Sequence, residues 1–334
     1  MSIEPIKGIQ ILPFLEELGF NPVSINEIRS GRNSRVLKVL GESRDAILKV
    51  YHRSPGYAHD RLHAEYSFLS LLSSVPSIPV ARPFGCDKQL ALGLYEVLPG
   101  VGVTGVSDND ISQAGEFIKQ INQLRDTEAA TTLGDAAEAC WTVQQHVQLV
   151  ALRVSQLREA ISNEEDSAAS EFVEMSLHPA LLTELSKLTT GNLDNPRLKN
   201  TPNQYKILSP SDFGFHNVLR GKSKLWFIDF EYAGWDDPVK LLCDFACQPE
   251  VPMSQEHVTQ FWQTMADWLQ DNCLLDYAMK LLPLYRVKWC CILLNEFMQI
   301  AGDRRQHANP SDPARKATQL SKAQQYFYKH VVTN

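Results

Sequence analysis

The chain has 334 residues, of which 44% are hydrophobic and 21% are charged, and its formal net charge is -7. This composition is typical of a globular protein and excludes a disordered, collagen-like or coiled-coil chain. The negative charge argues against a protein that binds nucleic acid or anionic lipid through its overall charge. Seven irregularly spaced cysteines without a C-x-x-C pair indicate reduced thiols rather than a disulfide framework or a zinc site.

Targeting and membrane signals are missing from the pattern of apolar residues. The first residues contain no basic segment followed by an apolar one, and the apolar stretch at 281–294 is interrupted by Pro283, Arg286 and Lys288. We therefore expect a cytoplasmic protein without a membrane span.

The first hundred residues predict a short helix, then a sheet. Helical spacing of apolar residues predicts a helix over 9–18 that ends at Gly19. Short apolar runs predict antiparallel strands with one helix among them. The strands are predicted at 36–40, 46–51 and 90–98, with a turn at 41–45, and the helix at 60–72.

From residue 108 onward the pattern is mainly helical, with a group of short strands between residues 205 and 231. Helices are predicted at 111–124, 136–161, 168–188, 238–247 and in several segments after 255. The sequence therefore predicts an α+β protein with a β-rich N-terminal lobe, residues 1–99, and a larger helical C-terminal lobe, residues 100–334.

The strongest chemical signal is a loop with Asp212 and Asn217, followed by an apolar strand that ends at Asp229. This spacing resembles the catalytic loop and metal-binding aspartate of the kinase fold. Asp212 would accept the proton of an attacking hydroxyl, while Asn217 and Asp229 would offer oxygen ligands to Mg²⁺. Each residue alone could instead be a turn or capping residue.

The N-terminal half contains residues that suit nucleotide binding. Lys49 lies in an otherwise apolar strand, where its charge needs a partner such as a phosphate, and Glu65 follows sixteen residues later on the predicted helix. We expect Glu65 to orient Lys49. The alternative is a lysine that extends to the surface and a solvated glutamate.

Two further segments are candidates for contacts with the nucleotide. The loop at 30–35 lies between two strands and would cover the phosphates, with Ser30, Asn33 and Ser34 and backbone amides as donors. The segment from Glu96 to Leu98 ends the last predicted strand of the lobe, where backbone groups would bind an adenine.

The order of these segments resembles the aminoglycoside phosphotransferase and choline-kinase-like family of small-molecule kinases. The similarity spans about residues 25–300, and its most specific parts are the motifs at 212–217 and 228–238. The resemblance implies a protein-kinase-like bilobal fold, ATP as donor with GTP as the alternative, Mg²⁺, and a small-molecule hydroxyl as acceptor. It implies no protein substrate, because Phe230-Glu231 follows Asp229 and no Ala-Pro-Glu triplet comes after it.

The catalytic loop also departs from the family pattern. Pro210 stands where the family commonly has a histidine, and Ser211 replaces the usual glycine before Asp212. These changes bear on the geometry of the loop and on rate, but they remove no reacting group.

Several segments of the sequence also allow other functional interpretations. The glycine pattern at 100–105 matches G-x-G-x-x-G, but neither a parallel strand nor an acidic residue after a following strand supports a dinucleotide site. A nucleotide-binding pseudokinase or regulatory protein would keep the fold without turnover. Glu231, Asp236 and Asp237 could attract a cationic acceptor or cap the next helix. The acceptor itself and the oligomeric state do not follow from the sequence.

Overall fold

The computed structural model describes residues 11–28, 34–53, 59–162, 167–190, 201–298 and 314–333. An antiparallel sheet with two helices forms the N-terminal part, and the remainder is mainly helical with short strands. The predicted α+β class is confirmed. The boundary between residues 99 and 100 remains a prediction.

Five strands form the N-terminal sheet. They are β1 (Pro22–Ile28), β2 (Ser34–Gly41), β3 (Ala46–Tyr51), β4 (Pro83–Asp87) and β5 (Leu92–Glu96), in the spatial order β1-β2-β3-β5-β4. Side chains alternate between the two faces of the central strand β3. Leu48 and Val50 are buried in a small core on one face, so Lys49, between them, points to the other.

Two helices accompany this sheet. They are α1 (Ile11–Glu17) and α2 (Arg61–Leu72). The first is followed by Gly19, whose φ of +72° is a left-handed conformation that favours glycine after a helix. The second is capped by Asp60, whose carboxylate accepts a hydrogen bond of 3.0 Å from the amide of His63.

The C-terminal part contains nine described α-helices. They are α3 (Asp108–Asn122), α4 (Glu128–Thr131), α5 (Val143–Ser162), α6 (Ser167–Phe172), α7 (His178–Thr190), α8 (Pro238–Cys247), α9 (Gln255–Leu269), α10 (Leu274–Leu293) and α11 (Arg315–Phe327). A π-helical turn, Val173–Leu177, joins α6 to α7, so the helix predicted over 168–188 is interrupted. No helix within the described ranges is both long and apolar enough to cross a membrane.

Five short strands lie among these helices and flank the predicted catalytic loop, residues 210–217. They are β6 (Val101–Gly102), β7 (Ile207–Ser209), β8 (Val218–Arg220), β9 (Leu225–Phe227) and β10 (Gly234–Asp236). The strands β6, β8 and β9 form one sheet, and β7 pairs with β10 in another. The loop between β7 and β8 therefore starts and ends at paired strands.

The prediction of a helix over residues 136–161 is wrong at its start. The helix α5 begins at Val143, and the residues before it form a loop along β10. The amide of Ala136 donates to the carbonyl of Trp235 at 2.8 Å. This tertiary hydrogen bond replaces the helical one, which local apolar spacing could not reveal.

Aromatic rings fill the core beneath the catalytic loop. Phe213 stacks on Phe245 with ring centroids 5.3 Å apart, and Phe245 lies 4.0 Å from Phe261. Because Phe213 directly follows Asp212, its burial fixes the backbone at that point. The aromatic residues Trp262 and Tyr285 of the late helices are also buried and belong to the core.

Candidate active site

Strand β3 and helix α2 bring Lys49 and Glu65 together. The ammonium of Lys49 donates to both carboxylate oxygens of Glu65, at 2.7 and 2.9 Å. The hydroxyl of Tyr51 donates to the same carboxylate at 2.6 Å and lies 2.8 Å from the hydroxyl of Tyr95. Glu65 is 3% exposed at its side chain, so its charge depends on these donors.

The same lysine reaches across to Asp229. Its Nζ donates to Asp229 Oδ1 at 2.8 Å, and Asp229 remains 38% exposed at its side chain. Burial alone lowers the pKa of Lys49, but the carboxylates of Asp229, Glu65 and Glu231 outweigh it and hold that pKa well above its ordinary value. Burial raises the pKa of Glu65, and the nearby charge of Asp229 adds to this effect, while Lys49 and Tyr51 oppose it. Lys49 is therefore permanently charged.

The catalytic loop orients Asp212. The side-chain amide of Asn217 donates to the backbone carbonyl of Asp212 at 3.0 Å, and His216 Nε2 lies 3.2 Å from Asp212 Oδ1. Burial acts to raise the pKa of Asp212, but contacts with His216 and Asn217 outweigh this effect and lower it. The side chain is 34% exposed, so an ionised carboxylate faces the solvent at neutral pH.

Asn217 and Asp229 are joined through the backbone between them. The carbonyl of Asn217 accepts a hydrogen bond of 3.0 Å from the amide of Ile228. Asp229 follows with a φ of +67°, a left-handed conformation that is unusual for a residue other than glycine. Such backbone strain occurs often at functional sites.

Ser211, directly before Asp212, also has a left-handed backbone conformation. Its φ is +65°, which glycine adopts freely and which serine adopts only when its surroundings hold it. Its hydroxyl accepts a hydrogen bond of 2.7 Å from Lys240 and lies 3.3 Å from the carbonyl oxygen of Ala137. The serine thus adopts a conformation that favours glycine, the usual residue of the family pattern, and Lys240 of the helix α8 contacts it there.

Lys240 belongs to a buried group of opposite charges. It donates to Asp236 at 2.9 Å and lies 3.6 Å from Asp244, which in turn accepts from Lys288 at 2.9 Å. Beyond Lys288, Glu138 forms an ion pair with an arginine, Arg153. The group links the helices α5, α8 and α10 to the base of the catalytic loop.

The charge of Glu138 is strongly stabilised in this group. Burial acts to raise its pKa, but the positive charges of Arg153, Lys288 and Lys240 outweigh this and lower the pKa to about 2. Its side chain is 31% exposed.

Ser34 is the one predicted phosphate-loop residue within the described ranges, and Ser30 and Asn33 lie outside them. The hydroxyl of Ser34 donates to Glu231 Oε2 at 3.0 Å, and the backbone carbonyl of Glu231 lies 2.8 Å from His59 Nε2. Burial and the nearby charge of Asp229 raise the pKa of Glu231 to about 7. The loop end thus contacts the segment that follows Asp229.

Glu96 and Leu98 lie apart from these charged groups. Glu96 ends β5, and its carboxylate accepts a hydrogen bond of 3.2 Å from the amide of Arg82. Within the described ranges, Leu98 forms no backbone hydrogen bond.

The three acidic residues after Asp229 do not form an exposed acidic surface. Glu231 is 2% exposed, and Asp236 and Asp237 are fully buried. Asp237 caps the helix α8 by accepting from the amide of Val239 at 2.9 Å, which confirms the capping alternative for that residue. These side chains therefore do not present an exposed acidic surface to a cationic acceptor.

Two residues of the site were not singled out from the sequence. His216 contacts Asp212 from four residues along the chain, across the extended backbone of Gly214, so no regular periodicity indicated this contact. Lys240 lies four residues after Asp236, on the helix α8, whose one other charged residue is Asp244, and a buried lysine in such a position needs a partner.

This fold and this grouping of charges define a kinase-like phosphotransferase. Residues 24–247 match the phosphotransferase enzyme family known as APH, and the chain belongs to that family. The resemblance stated from the motifs is thereby confirmed, as is the expected class of enzyme, a small-molecule kinase. No curated protein sequence matches the chain significantly.

Solved structures agree with the fold. A spectinomycin phosphotransferase, APH(9)-Ia, in complex with ADP and spectinomycin, has a TM-score of 0.61 at 15% identity, over 98% of this chain and 95% of that one. Choline kinase from Cryptosporidium parvum Iowa II has a TM-score of 0.58 at 11% identity, over 93% of each chain. The gentamicin complex of APH(2")-IIa has a TM-score of 0.58 at 14% identity, over 97% of each chain. These similarities confirm the predicted protein-kinase-like fold.

Proposed function

We propose that this chain transfers the γ-phosphoryl group of ATP to a hydroxyl group of a small molecule. The proposal depends on one observation above all, the Lys49 ammonium held at 2.7 Å by Glu65 and at 2.8 Å by Asp229. A permanently charged lysine oriented by one carboxylate and adjacent to a second, more exposed one suits nucleotide phosphates and the metal that accompanies them.

ATP is the donor in this proposal, with GTP as the alternative. Lys49 would bind the α- and β-phosphates, and Ser30, Asn33, Ser34 and the loop amides would cover them. The backbone groups of the segment 96–98, at the end of β5, would bind the base. The ADP present in the spectinomycin phosphotransferase is consistent with a nucleotide in the same fold.

Mg²⁺ fits the residues that are present. Within the described ranges, no group of three or more His, Cys, Asp or Glu side chains forms a metal cage. Proteins often hold Mg²⁺ with one or two carboxylates together with substrate phosphates, and Asp229 and the side-chain oxygen of Asn217 would supply such ligands. When bound, the metal ion would neutralise the charge that develops on the phosphoryl oxygens.

Asp212 would serve as the base for the acceptor. The acceptor oxygen attacks the γ-phosphorus in line, a new O–P bond forms, and the bond from that phosphorus to the β–γ bridging oxygen breaks, with its electron pair leaving on ADP. The hydroxyl proton passes to the Asp212 carboxylate, whose lowered pKa keeps it ionised beforehand. Positioning and charge neutralisation supply most of the acceleration.

The acceptor class in this proposal is a small hydroxyl compound rather than a protein. Only four residues separate Asp229 from β10, and α8 begins at Pro238. This leaves no room for a long segment that would bind an extended peptide. Two of the neighbouring structures contain spectinomycin or gentamicin, and a third is a choline kinase. Spectinomycin, gentamicin and choline are all small molecules.

The test is the substitution Asp212→Asn in the purified full chain. A panel of hydroxyl metabolites and aminoglycosides is first screened for acceptor-dependent ADP release. The variant should lose at least about 100-fold in kcat, while ATP affinity measured by calorimetry is unchanged. Retained turnover in the variant would refute the role of Asp212, and Mg²⁺-dependent ATP binding without transfer to any compound would favour the pseudokinase.

A further inference from the structure

The contact between His216 and Asp212 leaves a second imidazole nitrogen buried. His216 Nε2 lies 3.2 Å from Asp212 Oδ1. The other nitrogen, Nδ1, is buried and has no hydrogen-bond partner among the described residues. A neutral imidazole that donates through Nε2 carries a lone pair on Nδ1, so this atom needs a donor.

A buried donor without an acceptor lies close by. Gln248, at the end of α8, is 4% exposed, and its Nε2 also has no partner within the described ranges. Its other side-chain atom, Oε1, accepts a hydrogen bond of 3.1 Å from the amide of Val251. This contact identifies the unpartnered atom of Gln248 as the NH₂ group, which can only donate.

Gly214 lies close to both of these side chains and has no side chain of its own. Gly214 adopts an extended conformation with φ of 179°. A Cβ at this position would lie 2.8 Å from His216 Nδ1 and 3.0 Å from Gln248 Cγ. The imidazole of His216 and the side chain of Gln248 therefore both lie close to Gly214, and a larger residue there would press against both.

We propose that Gln248, His216 and Asp212 form a hydrogen-bonded series that positions the catalytic carboxylate. The amide of Gln248 donates to His216 Nδ1, and His216 Nε2–H donates to Asp212 Oδ1. Hydrogen bonds of this kind are often long outside the reacting complex and shorten within it. The amide of Gln248, which otherwise lacks an acceptor, and His216 Nδ1, which otherwise lacks a donor, are thereby both paired.

The series fixes which tautomer His216 adopts and which way Asp212 faces. With Oδ1 engaged by the imidazole, Oδ2 is left for the acceptor hydroxyl. His216 and Gln248 are positioning residues in this scheme, acting on the reaction only through Asp212, as the third member of a hydrolase triad acts through its histidine. The inference rests on the proposed function for its kinetic consequence, but not for the hydrogen bonds themselves.

Kinetics of four variants test the series. His216→Ala should lower kcat by about 10-fold to 100-fold with both KM values unchanged, because only the alignment of Asp212 is lost. His216→Gln should recover most of the lost turnover, since its amide supplies an N–H in place of Nε2. Gln248→Leu should lower kcat by about 10-fold. The double variant His216→Ala with Gln248→Leu should be no slower than His216→Ala alone.

A matched control is His257→Ala, which removes a comparable contact of 3.1 Å between a histidine and Asp108 on α9 and α3. Its kcat should equal that of the parent chain. A double variant whose loss in kcat equals the product of the two single losses would overturn the series. A rise in KM with kcat unchanged would do the same.

The tautomer of His216 gives a readout that does not depend on turnover. In ¹⁵N-histidine-labelled protein, with the signal assigned through His216→Gln, the spectrum should show a protonated Nε2 and an unprotonated Nδ1. Gln248→Leu should shift the Nδ1 resonance. A protonated Nδ1 would refute the series, whereas the expected tautomer in a chain without phosphoryl transfer would refute only the proposed function.

Discussion

Replacing Ser211 by alanine should destabilise the chain more than replacing it by glycine. The left-handed conformation of Ser211, with φ of +65°, costs a residue other than glycine about 1–2 kcal/mol. The hydrogen bond of 2.7 Å from the Lys240 ammonium to Ser211 Oγ offsets that cost, since bonds to charged groups contribute about 1.5–3 kcal/mol. Alanine loses the bond and keeps the strain, so the free energy of unfolding should fall by about 1.5–3 kcal/mol.

Glycine also loses the bond from Lys240 but removes the strain. After its greater freedom in the unfolded chain is counted, the glycine variant should be about 1 kcal/mol more stable than the alanine variant. Urea denaturation measures this difference through the midpoint at an unchanged slope. The control is Ser155, an exposed residue within the helix α5, where glycine should be the less stable replacement by about 1 kcal/mol. Equal stability of the two Ser211 variants, or the same order at both positions, would refute the role of backbone strain.

Three other substitutions test the site and its support. Lys49→Met should abolish nucleotide binding measured by calorimetry and lower kcat/KM by on the order of 100-fold or more, whereas Lys38→Met on the neighbouring strand should bind normally. The ionised carboxylate of Glu138 should stabilise the folded chain by about 1–3 kcal/mol above pH 4.5. This stabilisation should be lost as the pH falls from 4.5 to about 2, because the unfolded chain takes up the proton at a higher pH than the folded chain. Urea denaturation of Glu138→Gln should show a correspondingly flatter pH dependence. Ser107→Ala should lower the unfolding free energy by about 1 kcal/mol through loss of the capping box of α3, while Ser112→Ala in the same helix should not.

For each of these three predictions, one outcome of the measurement would contradict it. Normal nucleotide affinity in Lys49→Met would remove that lysine from the phosphate site. An unchanged acid dependence in Glu138→Gln would show that its charge is not stabilised by Arg153 and Lys288. Equal effects of the two serine substitutions in α3 would mean that the N-terminal hydrogen bonds of this helix contribute little.

Local pattern was enough to predict one half of the site. An apolar strand with a single lysine, followed by an amphipathic helix with a glutamate, predicted the pair Lys49 and Glu65 because both elements are set by nearby residues. The same holds for the loop from Asp212 to Asn217, whose short turn is local. The helix start predicted at residue 136 failed because a hydrogen bond to Trp235, distant along the chain, decided that backbone.

Contacts between distant segments could not be predicted from periodicity. The bond from Ser34 to Glu231 and the one from Lys240 to Ser211 depend on how the sheet and the helices meet. The charge of the acidic residues after Asp229 favours exposed positions, yet Asp236 is fully buried beside Lys240. A charge pattern alone does not tell whether a carboxylate faces water or an internal partner.

The span of the contacts at Lys49 bears on how the protein folds. Its partner Glu65 is 16 residues away, whereas Asp229 is 180 residues away and the nearby pair Ser34 and Glu231 is separated by 197. Closing such long loops costs conformational entropy before any contact repays it, which slows the step that forms them. The nucleotide site should therefore be among the last parts of the chain to mature, and recovery of nucleotide binding after dilution from denaturant should lag behind recovery of helical signal.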